Sequence, residues 1–248
     1  MNFQIVNFVE PSRVRMIWQS PYAGERTKFH VGDLIRAGSQ VALYYNRNSA
    51  DWIGAVQNGF NGYPAAFPVT SVVHHDNVLE IIRRRLPPRN RSDFGAFLYK
   101  NGLSNNPMIS DLALIGYSGA RLPGDGFSFE IDYSIEEMPF EFLFEVSGFR
   151  YYSGMNIPVE AVLDRQVLFQ PEPSNAHDPN AIMIKIGDAL IGYVPRSHAP
   201  WINAWLQFAR LGAWVAKIEG PPSRPLVYVY LAVARQLTHQ SISHALGR

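Results

Sequence analysis

The sequence predicts an α+β protein: an N-terminal module of β-meander plus helices, followed by a small β-barrel of the OB or SH3 type with one helix. Three observations carry this. Short β-prone runs fill both ends of the chain, helix-capping signals cluster between residues 77 and 119, and one apolar helical stripe interrupts the later strands.

Val14–Trp18, Lys28–Gly32 and Val41–Tyr45 are short apolar runs separated by glycine-containing turns, as a meander requires. Asn61–Pro64 and Phe67-Pro68 read as an irregular connection. Asn77, three residues before Glu80, resembles a capping box opening Val78–Leu86, which Pro87-Pro88 close. Ser92 is placed to cap Asp93–Lys100, stopped by Asn101-Gly102, and Ser110 to cap a helix from Asp111 to about Tyr117, ended by Ser118-Gly119. Ala120–Gly126 is a loop by composition, Phe127–Ile131 alternates as a strand, and the acidic stretch Glu136–Phe140 marks the boundary of a module spanning 1–138.

The segment 139–237 then reads as six strands, Glu141–Phe149, Gln166–Gln170, Ala181–Ile186, Ala189–Val194, Ala213–Ile218 and Leu226–Ala234. One helix, capped by Ser197, with Pro200 in its first turn and Gly212 at its end, carries the stripe Trp201, Ile202, Trp205, Leu206 and Ala209. Residues 238–248 have no core pattern and read as a tail, and no repeat or low-complexity segment occurs.

Composition narrows the function classes. The chain has 248 residues, 47% of them hydrophobic, enough for a proper core. No run of eighteen apolar residues and no signal-peptide layout at Met1-Asn-Phe-Gln-Ile is present, so no membrane role and a cytoplasmic site are the expectation. With no cysteine, disulfides and thiolate metal sites are excluded. The net charge of +1 conceals twelve Lys/Arg against seven Asp/Glu in residues 1–100, one against six in 101–140, and nine against eight in 141–248. A chain so nearly neutral does not coat nucleic acid, so any contact with it must be small and local.

Enzymatic signatures are weak. There is no P-loop and no Gly-x-Ser-x-Gly elbow, His74-His75-Asp76 are adjacent residues that rarely converge on one ion, and the other histidines lack ligand spacing. The expectation is a non-catalytic protein with neither cofactor nor metal.

The informative residues lie in three segments: Gly148-Phe-Arg-Tyr-Tyr-Ser-Gly154, Glu172–Ala181 and Ile191-Gly-Tyr-Val-Pro-Arg196. Tyr151 and Tyr152, if on a strand, point to opposite faces, one to the core and one outward as a platform for a base, though both can equally pack. Arg150 and Arg196 can fork onto phosphates, with the helix start near Ser197 adding its dipole; a solvated surface charge is the plainer reading of each. Asp178 repels internal phosphates but suits a terminal 3′-hydroxyl, while Asn175, Asp178-Pro179 and Asn180 are also ideal turn residues. A second basic patch is a candidate at Arg83, Arg84, Arg85, Arg89 and Arg91, although three consecutive residues spread around a helix.

In order and spacing Gly148–Gly154, Pro173–Ile182 and Ile191–Arg196 resemble the HIRAN domain, over about residues 141–235. The resemblance implies an OB-like barrel that captures 3′ ends of single-stranded DNA and, in eukaryotes, is attached to SWI/SNF-type fork-remodelling translocases. It implies that Arg150 contacts the backbone, Tyr151 stacks on terminal bases, Asp178 accepts the 3′-hydroxyl, and Tyr193 and Arg196 line the phosphate path, with His177 standing where the end-binders have a second stacking tyrosine. The N-terminal half resembles the region that precedes HIRAN in stand-alone bacterial proteins, and distantly the small N-terminal subdomain of HipA-type kinases. The implied role is end recognition in DNA repair, replication restart or defence, with single-stranded DNA bearing a free 3′ end as ligand and a separate nuclease, helicase or antitoxin-like protein as partner. The alternative is a protein-interaction module of a toxin–antitoxin or phage-defence assembly that binds no DNA.

Overall fold

The computed structural model describes residues 3–20, 27–103, 108–152 and 157–236. The chain divides into two compact units, Val9–Ser134, and Met1–Phe8 together with Ile135–Arg248. The expected tail, residues 238–248, lies outside the described residues. No helix among the described residues is long and apolar enough to cross a membrane.

The Val9–Ser134 unit contains β1 (Arg13–Gln19), β2 (Lys28–Ala37), β3 (Gln40–Tyr45), α1 (Ala50–Gln57), β4 (Gly62–Tyr63), β5 (Phe67–Pro68), β6 (Val73–His74), α2 (Val78–Arg83), α3 (Phe94–Lys100), α4 (Asp111–Ser118) and β7 (Phe127–Ile131). Its main sheet runs β6-β3-β2-β1-β7. Val14, Met16, Leu34, Leu43, Phe129 and Ile131 are buried in it, and α4, which lies against β1 and β7, contributes buried Leu112, Ala113 and Ile115.

Local chemistry decides the helix ends. Ser110 caps α4 as expected, its side chain accepting from Ala113 N at 3.1 Å. The expected cap at Asn77 does not form. Its φ of 53° is left-handed, whereas a side-chain cap needs extended backbone, and α2 ends at Arg83, short of Leu86. At α3 the residue before the helix is Asp93 in place of Ser92; its φ of −94° and ψ of 7° are not the extended backbone of a capping residue, it makes no cap bond, and its carboxylate pairs with Arg91 instead. Helix α1 had no counterpart in the pattern. Ser49 caps it through Trp52 N at 3.0 Å, and the Trp52 ring then packs on Tyr45 and Phe60, both at 5.2 Å.

The other unit contains β8 (Phe140–Glu145), α5 (Phe149–Tyr152), β9 (Leu168–Pro171), β10 (Ile182–Ile186), β11 (Ala189–Tyr193), α6 (Ala199–Phe208), β12 (Ala209–Glu219) and β13 (Leu226–Arg235). All its strand pairs are antiparallel, in two three-stranded sheets, β11-β10-β9 and β12-β13-β8. The edges meet at two isolated bridges, Ser147↔Tyr193 and Gln166↔Trp214. The expected barrel is therefore a circuit of two sheets joined by single bridges, without one continuous ladder. The four- and five-residue strands β9 and β11 are soon followed or ended by prolines, Pro171 and Pro195, which lack the N–H that would extend pairing.

Alternation builds this unit's core. Val227, Val229, Leu231 and Val233 of β13 are at most 1% exposed, and Phe140, Phe142 and Phe144 line one face of β8. Trp205 of α6 packs on Phe140 at 5.3 Å, and the buried His198 ring stacks on Phe142 at 5.6 Å and Phe144 at 5.8 Å. With His198 held there, α6 begins at Ala199 with His198 at the cap position, one residue beyond the expected Ser197. It ends at Phe208 because Ala209 enters β12, which pairs with β13 from Ala209 to Glu219, so Gly212 sits inside a strand.

The opposite side of β8 holds the start of the chain. Glu141, 8% exposed, accepts Val6 N at 2.8 Å, Asn7 N at 2.6 Å and Asn7 Nδ2 at 2.7 Å, while Phe3 lies 5.8 Å from the Trp214 ring and 5.2 Å from that of Tyr230. Burial, and then the Glu141 carboxylate, push the Tyr230 phenol up to about 12. Glu141→Ala leaves those donors without their acceptor and should cost about 2 kcal/mol in urea unfolding. Removing residues 1–8 should cost a similar amount, and the double change should be much less than additive. Full additivity would show that the carboxylate and the N-terminal segment act separately.

Candidate nucleic-acid interface

The first of the three segments begins where β8 ends. Ser147 N donates to Tyr193 O at 2.8 Å and Tyr193 N to Ser147 O at 2.9 Å. Gly192, at φ 143°, permits this approach: a Cβ there would lie 2.5 Å from Val146 Cγ1 and 2.6 Å from Ser147 O. Gly148, at φ 78°, then turns the chain into α5, where a Cβ would press within 3.1 Å of the Tyr152 ring.

This corrects the strand expected over Glu141–Phe149, which stops at Glu145. The paired tyrosines occupy one helical turn, so they are not split between core and surface. Phe149 is the buried anchor at 4% exposure, while Tyr151 and Tyr152 stand out at 67% and 43%. Arg150 hydrogen-bonds the Tyr151 hydroxyl and places its guanidinium carbon 4.5 Å from the ring centroid. Ser153 and Gly154 lie outside the described residues.

Tyr193 joins all three segments. Its ring meets Tyr152 edge-on at 5.3 Å, and its hydroxyl donates to Glu172 Oε2 at 3.0 Å. The same oxygen accepts Asn175 Nδ2 at 2.7 Å. Asn175 Oδ1 in turn accepts His177 N at 3.0 Å and Asp178 N at 3.2 Å, and Asp178 Oδ1 accepts Asn180 N at 2.9 Å. The turn reading of Asp178 is thus realised on one oxygen. Its Oδ2 makes no hydrogen bond or ion pair with the described residues. His177 is exposed, as is Arg196, which likewise has neither kind of contact with them.

Electrostatics follow these bonds. The Asn175 amide, and then the Tyr193 hydroxyl, hold the Glu172 carboxyl below the usual range. Burial, and then the Glu172 carboxylate, push the Tyr193 phenol up to about 12. Sequence reasoning missed the Glu172–Tyr193 bond, since its partners are 21 residues apart; the only local signal is the three-residue spacing of Glu172 and Asn175 in a turn-rich segment.

The arginine cluster does not form a free patch. Arg85, its side chain 3% exposed, is buried with a fork onto Asp125 at 2.6 and 3.0 Å and a bond to Ala120 O at 2.7 Å. Its partners Asp125 and Ala120 lie in the loop before β7, which selected the buried geometry over an exposed one. Arg83 and Arg89 both pair with Asp111, Arg84 with Glu80, and Arg91 with Asp93. Among the described residues no three His, Asp or Glu gather as a metal site needs.

Residues 139–232 match the family model of the HIRAN domain, less than half of the chain. The chain thus contains a HIRAN domain, and the match does not reach the Val9–Ser134 unit. Two solved structures are similar. The HIRAN domain of human HLTF is 18% identical, with 43% of this chain and 86% of that chain covered and a TM-score of 0.30. A protein from Lactobacillus plantarum is 24% identical, with 37% and 98% covered and a TM-score of 0.28. No curated protein matches the chain.

Two outcomes test the geometry. Arg85→Ala leaves Asp125 without its partner in a largely buried setting and should cost about 3 kcal/mol in urea unfolding, while exposed Arg84→Ala should cost under about 1 kcal/mol. Tyr193→Phe removes a donor that favours the Glu172 anion, so the NMR titration midpoint of Glu172 should move up toward the ordinary value. The wild-type contribution of this bond is accordingly present above that ordinary value and lost as pH falls through the lower folded one. An unmoved midpoint would remove Tyr193 from the network.

Proposed function

We propose that this chain is a non-catalytic DNA-binding protein whose HIRAN domain takes the 3′-hydroxyl end of a single strand. HIRAN domains are DNA-binding modules, and residues 139–232 match that family. The observation that carries the finer reading is the convergence on Tyr193: two exposed tyrosines on one side, and on the other a turn presenting His177 and a carboxylate oxygen with no hydrogen-bond or ion-pair partner among the described residues. Exposed rings accept base faces, worth about 1–3 kcal/mol per stacked base. An unpartnered carboxylate oxygen accepts a terminal hydroxyl and repels the phosphate that an internal nucleotide brings. Arg150 and Arg196 supply the phosphate contacts, and His177 offers a smaller stacking face than tyrosine. Repair, replication restart or defence in the cytoplasm, beside a separate nuclease, helicase or antitoxin-like protein, is the setting that suits such a module.

Anisotropy titrations with short single strands decide this. A 3′-hydroxyl strand should bind about tenfold more tightly than its 3′-phosphate or hairpin-blocked counterpart. Tyr151→Ala should weaken all of them by roughly tenfold or more. Asp178→Asn, which keeps an acceptor for Asn180 N, should chiefly erase the preference between ends. With two arginines engaged, the plot of log affinity against log salt should slope near about −1.4. Equal or absent binding across all strands would refute end capture and favour the protein-interaction module that the near-neutral charge of +1 also suits.

A further inference from the structure

Glu172 is not among the residues that hold DNA in the reading above, yet its side-chain bonds run to the elements that do. Its Oε2 takes the Tyr193 hydroxyl at 3.0 Å and the Asn175 amide at 2.7 Å. That second bond fixes which way Asn175 faces. With Nδ2 committed to the carboxylate, Oδ1 turns toward His177 N and Asp178 N, at 3.0 and 3.2 Å. The reverse orientation would set oxygen against carboxylate and N–H against N–H. On the far side, Tyr193 carries Tyr152 edge-on at 5.3 Å. A half-exposed network of this kind adds little to global stability, so its consequence is geometric.

We infer that Glu172 is the positioning residue of this site, locking the aromatic wall of Tyr152 and Tyr193 to the turn that presents His177 and Asp178. The inference rests on the end-binding reading for its effect on DNA. Glu172 thereby sets the spacing between the stacked base and the Asp178 oxygen, and so the sharpness with which an end is told from an internal stretch. The prolines on either side, Pro171 and Pro173, restrict the backbone around Glu172 but do not aim its carboxylate; the two hydrogen bonds do.

The test uses the full chain with 3′-hydroxyl and 3′-phosphate strands, and a DNA-free readout beside them. Glu172→Ala should lower affinity for the 3′-hydroxyl strand about tenfold and bring the two strands toward equal binding, with an unfolding midpoint close to wild type. Without DNA, amide exchange at His177 and Asp178 should accelerate, and the Tyr193 ring resonances should titrate at lower pH. Glu172→Gln, which retains an acceptor oxygen of the same reach, should restore the exchange protection and most of the preference. Unchanged exchange and unchanged preference in Glu172→Ala would overturn the positioning role, as would a Glu172→Gln variant as defective as the alanine. Wild-type binding indifferent to the terminus would overturn end recognition instead, while the exchange result would still decide whether Glu172 orders the turn.

Discussion

The two hydrogen bonds between Ser147 and Tyr193 set the terms for the HIRAN-domain unit. They join β8, the edge of one three-stranded sheet, to β11, the edge of the other. They also put the α5 turn directly beside β11, which is why Tyr152 meets Tyr193. The approach is so close that only glycine fits at position 192, where any Cβ would collide with Val146 and the Ser147 carbonyl. A barrel closed by long ladders would not need this; in one closed by single bridges, this pair carries one of the two junctions between the sheets.

Charge is managed locally throughout. In the Val9–Ser134 unit, each arginine of the 83–91 cluster is matched to a carboxylate, so an apparent basic run contributes no broad positive field. In the HIRAN unit, Arg150 and Arg196 stand without carboxylate partners among the described residues, while Glu172 and Asp178 lie on the turn between them in sequence. The charges there are mixed, and the two arginines form no continuous basic track.

Legibility from sequence tracked how local the cause was. The antiparallel strands Val14–Trp18, Val41–Tyr45, Phe127–Ile131 and Leu226–Ala234 emerge almost where alternation and turn residues put them, and Ser110 caps its helix, because those signals act over a few residues. Helix α1 escaped notice because it is only eight residues long and buries just Trp52 and Ala55, leaving Ile53 and Val56 exposed, so no clear apolar stripe marks it. Asn77, Ser92 and Ser197 have the right chemistry for caps, but backbone angle, an ion pair and a buried histidine ring, respectively, move the helix starts elsewhere. The candidate site residues stand out in the sequence as motifs; the Glu172 link does not, since nothing in a linear pattern says that a tyrosine 21 residues on will donate to it.

The N-terminal segment has one more consequence, for the order of assembly. Asn7 and Glu141 are hydrogen-bonded partners separated by 134 positions, with the whole Val9–Ser134 unit between them in the chain. During synthesis the intervening unit can complete its own sheet while residues 3–8 still wait for β8 to be made. Residues 3–8 are therefore made before that unit yet find their place after it, once β8 supplies Glu141.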